Sequence, residues 1–158
     1  MLKYSPLLLF IWLGVQGCGT VQTSELAGTW VVTEQTRQDI LPASEQSSVT
    51  RIVLESNGTF SAYDLPGELL YAPPKFTGHL VSGSGTWKLE QLEGRHRVLL
   101  KFHTIETGEL SYLYDAPLTV SKGLSGIRLY FFQGDPDEGR RVELEKSSRC
   151  TRTKNGAN

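Results

Sequence analysis

The strongest constraint on the fold is a period of two. Val98, Leu100 and Phe102 alternate with polar neighbours in residues 96–104. Ile127, Leu129 and Phe131 alternate against Arg128, Tyr130 and Phe132 in residues 126–133, and Val142 and Leu144 alternate against charges in residues 140–146. Successive side chains of a strand point to opposite faces, so each run gathers its apolar set on one side of a sheet. Earlier windows read the same way: residues 26–34 with Trp30 and Val32 on one face, 49–55, 59–63, and 84–91 with Trp87 and Leu89 together. Residues 109–114 add Leu110, Tyr112 and Tyr114, and a short stretch, 118–120, continues them beyond Pro117. Residues 35–48 are polar, contain Pro42 and read as a loop with at most one helical turn. The fold class expected is therefore all-β: about eight antiparallel strands in a meander that closes into a barrel, with no long helix. Sixteen glycines and short runs of β-branched and aromatic residues agree with this.

One register is arguable residue by residue. Between strands 49–55 and 59–63 stands Ser56-Asn57-Gly58. A two-residue Asn-Gly turn pairs Glu55 with Phe60 and mixes the faces. A three-residue loop with Gly58 left-handed at a bulge pairs Leu54 with Phe60 and keeps the apolar set on one side, so it is the expected form. Asn57-Gly58-Thr59 also spells a glycosylation sequon; the turn reading is preferred.

The chain opens with Met1-Leu2-Lys3-Tyr4, an apolar run from Pro6 to Val15, and Val15-Gln16-Gly17-Cys18. The charged start, short apolar core and small residue before a cut are the parts of a secretory signal. About ten apolar residues are too few to span a bilayer, which needs about 20. With cysteine first after the cut, the segment resembles a bacterial lipoprotein signal with its lipobox. The resemblance implies cleavage after Gly17, a diacylglyceryl thioether on Cys18 and an acyl chain, commonly palmitate, on its amine. Gly19, rather than aspartate, follows the cysteine; by the same resemblance this points to an outer membrane, facing the periplasm, in a Gram-negative host. The expected layout is a signal peptide at 1–17, a lipidated tether at 18–25, the barrel domain at 26–147 and a polar tail at 148–158.

Leu26-Ala27-Gly28-Thr29-Trp30 opens the first strand, and Gly85-Thr86-Trp87 repeats the triplet at a middle one. In that place Gly28-x-Trp30 resembles the motif of lipocalin-like proteins, and the whole order resembles bacterial lipocalin-like lipoproteins. The resemblance implies that Trp30 closes one end of an eight-stranded barrel beneath a basic side chain from near the last strand, for which Arg140, Arg141 and Arg149 stand as candidates. Gly28, Trp30 and Trp87 are thus structural barrel-end residues. Another small barrel or a sandwich suits the same pattern.

Catalytic and metal chemistry is not in view. His96 and His103 lie seven apart on one strand and face opposite sides, and His79 stands in a loop. Asp135, Asp137 and Glu138 lie in a turn-forming Asp-Pro-Asp-Glu-Gly stretch without the ligand count calcium needs. Ser84 between two glycines lacks the strand-turn-helix of a nucleophile elbow. No phosphate loop or zinc spacing is present, and Cys18 is taken by lipid, leaving Cys150 without an intrachain partner. The expectation is a non-catalytic protein with no cofactor and no metal. A formal net charge of −1 gives no basic face for nucleic acid.

Residues 64–83 are out of proportion: about twenty residues between two strands, carrying Leu65, Leu69, Leu70, Tyr71, Pro73, Pro74, Phe76 and Leu80. Three readings stand: ordinary core that plugs the barrel, a lid over a ligand, or a surface for a partner. Leu69, Leu70, Tyr71 and Phe76 are the candidate contact residues. The expected function is a lipid-anchored envelope protein that binds a small apolar or amphipathic ligand. The alternative is a protein-interaction lipoprotein, such as an inhibitor, immunity or envelope-assembly factor, with a filled barrel.

Overall fold

In the computed structural model, residues 20–40, 50–70, 80–106, 115–132 and 135–148 are described. Among them, eight antiparallel strands close into a barrel in strict chain order: β1 (Gly28–Val32), β2 (Arg51–Leu54), β3 (Thr59–Pro66), β4 (Leu80–Leu92), β5 (Arg95–Ile105), β6 (Asp115–Gly123), β7 (Gly126–Phe132) and β8 (Arg141–Lys146). β8 returns to pair with β1, Trp30 opposite Lys146 and Val32 opposite Leu144, so no edge is left open. The expected all-β barrel is the fold observed. Its apolar alternation is carried through: Val98, Leu100 and Phe102 on β5, Leu129 and Phe131 on β7, and Val142 and Leu144 on β8 are all buried in one core.

The 54–60 hairpin adopts the expected register, with Leu54 opposite Phe60 and Gly58 at φ +84°. Asn57 Oδ1 accepts from Thr59 N at 2.9 Å and from Thr59 Oγ1 at 2.7 Å, so the side chain builds the turn from within. Glu93 and Gly94, at φ +50° and +76°, make the tight β4–β5 turn.

Several boundaries differ from expectation for local reasons. β1 starts at Gly28 because Thr23–Leu26 form a single helical turn, α1, and it ends at Val32 because Thr33 turns the chain into a second helix, α2 (Glu34–Ile40). Thr33 Oγ1 accepts from Thr36 N at 3.3 Å, an N-terminal cap that outlasts the single turn expected here. The expected tether, 18–25, is in part structure: Val21 is 8% exposed and belongs to the core, and Thr23 to Glu25 lie in α1. β3 continues past Tyr63 to Pro66 through a bulge between Ala62 and Leu65, with Asp64 at φ +51°. Since β4 begins at Leu80, the long 64–83 connection shrinks from both ends to residues 67–79. The sixth strand is Asp115–Gly123, with Pro117 inside it opposite Leu99; only its middle was expected, and the expected strand 109–114 lies outside the described residues.

β4 has a glycine-dependent corner. A Cβ on Gly85 would collide with the Lys101 carbonyl oxygen, and one on Gly83 with that of Thr104. The register between β4 and β5 shifts at this point, so His103 is passed over in the pairing. The sequence Gly83-Ser84-Gly85 therefore serves barrel closure, where one strand bends close over another.

Candidate functional site

The up-and-down connectivity makes the two barrel ends unlike. One end holds α1, the three tight turns after β2, β4 and β6, and the end of β8. The other holds the longer connections after β1, β3, β5 and β7. Trp30 and Trp87 both belong to the tight-turn end, where each indole N–H donates to a backbone carbonyl: Trp30 to Leu26 at 2.8 Å, Trp87 to Glu55 at 2.9 Å. Gly28 enters β1 at φ +135°, and a Cβ there would sit 2.7 Å from Lys146 Cε. The basic side chain over Trp30 is therefore Lys146, whose Nζ lies 6.0 Å from the ring centroid. Arg140 and Arg141 stand at the other end of β8, and Arg149 lies outside the described residues. Neither Arg140 nor Arg141 takes the place expected of it, because the residue that pairs directly with Trp30 in the sheet is Lys146.

Glu25 ties this end together. Its Oε2 accepts from Gln22 N at 2.8 Å, its Oε1 meets Lys122 Nζ at 2.9 Å, and its carbonyl accepts from Lys146 Nζ at 2.9 Å. The Gln22 backbone bond first, then the Lys122 ammonium, hold the Glu25 carboxyl below its ordinary value of 4.5. A carboxylate lowered in the folded state adds stability above the unfolded pKa and loses it as pH falls through the folded one. Glu25→Gln is therefore expected to lower the urea midpoint slightly at about pH 7, and by progressively less as pH falls below the ordinary carboxylate range. Urea titrations of both proteins across that range check this; a difference that grows in acid contradicts it.

The other end places Leu69 against the core, 6% exposed, in a 3-10 turn (Gly67–Leu70) that reaches over to β6. Of the candidate contact residues, Leu69 is thus packed inward. The side chain of Leu70, and Tyr71 and Phe76, lie outside the described residues, as does His79. Beneath Leu69 the interior is occupied. Trp30, Ile52, Val98, Leu100, Phe102, Ala116, Leu118, Leu129 and Leu144 are 0% exposed. Phe60 and Phe102, which flank Gly85 on the neighbouring strands, meet over it edge to face with centroids 4.9 Å apart. Eight strands make a barrel just wide enough for side chains to fill, and among the described residues these side chains form one buried cluster with members from every strand.

Polar recognition chemistry lies on the outer wall. The register aligns Arg128, Glu145, Val31, Arg51 and Tyr63 as one row across β7, β8, β1, β2 and β3. Arg51 stacks its guanidinium 4.3 Å over the ring of Tyr63, which is 40% exposed. Beside that row, Tyr130 and Phe132 pack edge to face at 5.6 Å, with Arg141 5.2 Å over Tyr130. Glu143 holds both flanking arginines, Arg128 at 2.7 Å and Arg141 at 2.5 Å. Arginine and tyrosine on a rigid strand surface are the residues that carry binding energy in protein interfaces. Reading strands for their inward set passed over this outward one; the signal present was an aromatic at outward parity with an arginine at the paired position.

His96 and His103 do not come together, and His103 faces outward near Thr86, 3.4 Å from its hydroxyl. Asp135 caps the 3-10 turn Pro136–Glu138, accepting from Asp137 N at 2.9 Å, and Gly139 closes it at φ +70°, so the acidic stretch is a turn. Among the described residues no group of three or more His, Cys, Asp or Glu side chains is placed to hold a metal ion. No protein-family model matches the chain, and neither a curated protein nor a solved structure is significantly similar to it.

Proposed function

We propose that this protein is a lipid-anchored, non-catalytic envelope protein whose barrel is a recognition module for another protein, held at the membrane by acylated Cys18. The observation that carries this reading is the filled interior: side chains from all eight strands occupy the space a lipocalin-like barrel offers to a ligand. Binding is then left to the outside, where Arg51–Tyr63 and Arg141–Tyr130–Phe132 offer preorganised cationic and aromatic groups. Such pairs cost little side-chain entropy on binding because each member is already held by its neighbour.

A photo-crosslinking amino acid in place of Tyr63 or Tyr130, in cells, tests the reading. Both positions are expected to yield the same adduct of defined mass, and the same label at Lys101, exposed on β5 away from that row, none. A fluorescent fatty acid is expected not to bind the purified protein at micromolar concentration. Saturable binding of that probe, with no adduct at either tyrosine, reinstates the small-ligand function and overturns this one.

A further inference from the structure

Two large apolar side chains are exposed at hairpin tips of the tight-turn end. Leu124, in the β6–β7 turn, is 111% exposed, and Leu92, at the β4–β5 turn, is 49% exposed. Neither turn needs a leucine: the first is shaped by Gly126 at φ +108°, the second by Glu93 and Gly94. Because β5 pairs with β6, the two tips are neighbours around the rim. Leucines on adjacent tips, each beside a basic residue (Lys122 and Arg95), have an apolar point with a cationic collar.

The same end receives the N-terminal chain. Val21 is packed in the core, and the clasp of Glu25 between Lys122 on β6 and Lys146 on β8 draws α1 across the barrel floor towards the Leu124 hairpin. Three residues of chain separate Cys18 from Val21, a reach of about 11 Å when fully extended. The headgroup layer of one leaflet is about 5–8 Å deep. Acyl chains on Cys18 in the hydrocarbon therefore hold the tight-turn end at the headgroups and leave the barrel no slack to turn over.

We propose that the tryptophan-closed end of the barrel rests on the bilayer that holds Cys18, with Leu92 and Leu124 as its lipid-contacting side chains. The proposal rests on the acylation of Cys18. Glu93, at the tip beside Leu92, limits the contact to the interfacial layer, since a carboxylate does not enter hydrocarbon unpaired. The longer connections, with the upper parts of the outer wall that carry Tyr63 and Phe132, then face away from the membrane.

The test uses the full-length acylated protein with Cys150→Ser, so that a single introduced cysteine takes an environment-sensitive fluorophore. Leu92→Cys, Leu124→Cys and, at the opposite end, Asp137→Cys are labelled and reconstituted in phosphatidylethanolamine–phosphatidylglycerol vesicles carrying nitroxide lipid. All three positions are exposed, so parental melting is expected of each. The labels at 92 and 124 are expected to shift to the blue and to be quenched several-fold more than the label at 137. Acylated protein whose labels at 92 and 124 stay as wet as that at 137, or are drier only as protein concentration rises at fixed lipid, overturns the proposal; the second result marks another copy of the chain as the occupant. Intact-protein mass reads the anchor separately: a chain without acyl groups on Cys18 overturns the anchoring reading and this one with it.

Discussion

Replacing Trp30 with alanine is expected to cost about 3–5 kcal/mol, a large share of the roughly 5–15 kcal/mol that holds a domain folded. The indole is 0% exposed and sits on β1 where that strand meets both β2 and β8, opposite Ile52 and Lys146. Its loss opens a cavity at the barrel's closed end, strips the Leu26 carbonyl of its 2.8 Å donor and frees α1 from the floor. Trp30→Phe keeps most of the volume and loses only the donor, so its cost is expected to fall well short of the alanine variant's. Urea unfolding followed by near-ultraviolet circular dichroism ranks the three proteins. An alanine variant as stable as the parent means that Trp30 does not close the barrel.

The second large effect is on location. Cys18→Ser is expected to move the protein from the membrane to the soluble fraction, because two or three acyl chains anchor stably where a single chain gives only marginal binding. Its melting temperature should match that of the parent's soluble domain, since Val21 is the first core residue among the described residues. Fractionation of cells expressing each form, with the mass of the mature N-terminus, measures both. A serine variant that still sediments with membranes shows that something other than Cys18 holds the chain there.

How the sequence relates to the fold is clearest strand by strand. Alternation in residues 96–104, 126–133 and 140–146 was enough to assign β5, β7 and β8 and their buried faces, because a period of two has one meaning on a half-buried sheet. The 54–60 register was legible for the same reason: a slip of one residue would turn every apolar side chain to solvent. The tight turn was legible there because Gly58 supplies positive φ. Helix α2 was less so, because its cap is a hydrogen bond between Thr33 and Thr36, and seven polar residues in a row look like loop.

Closure was decided only in three dimensions. That Lys146 rather than an arginine lies over Trp30 follows from the β1–β8 pairing, which joins opposite ends of the chain and leaves no local trace. That Gly83 and Gly85 are needed follows from how closely β5 passes beneath them. Whether the barrel is hollow depends on the volumes of inward side chains from all eight strands meeting at once, and none of those volumes is visible in a single run. The outward row from Arg128 to Tyr63 likewise exists only because five strands are in register. By itself the sequence determined most of the strands, their inner faces and the hairpin at Gly58, which depend on neighbours two to five residues apart. The shared core, the clasp at its closed end and the outward arginine and tyrosine row on its wall were decided by the tertiary structure, because each depends on residues that only the closed sheet brings together.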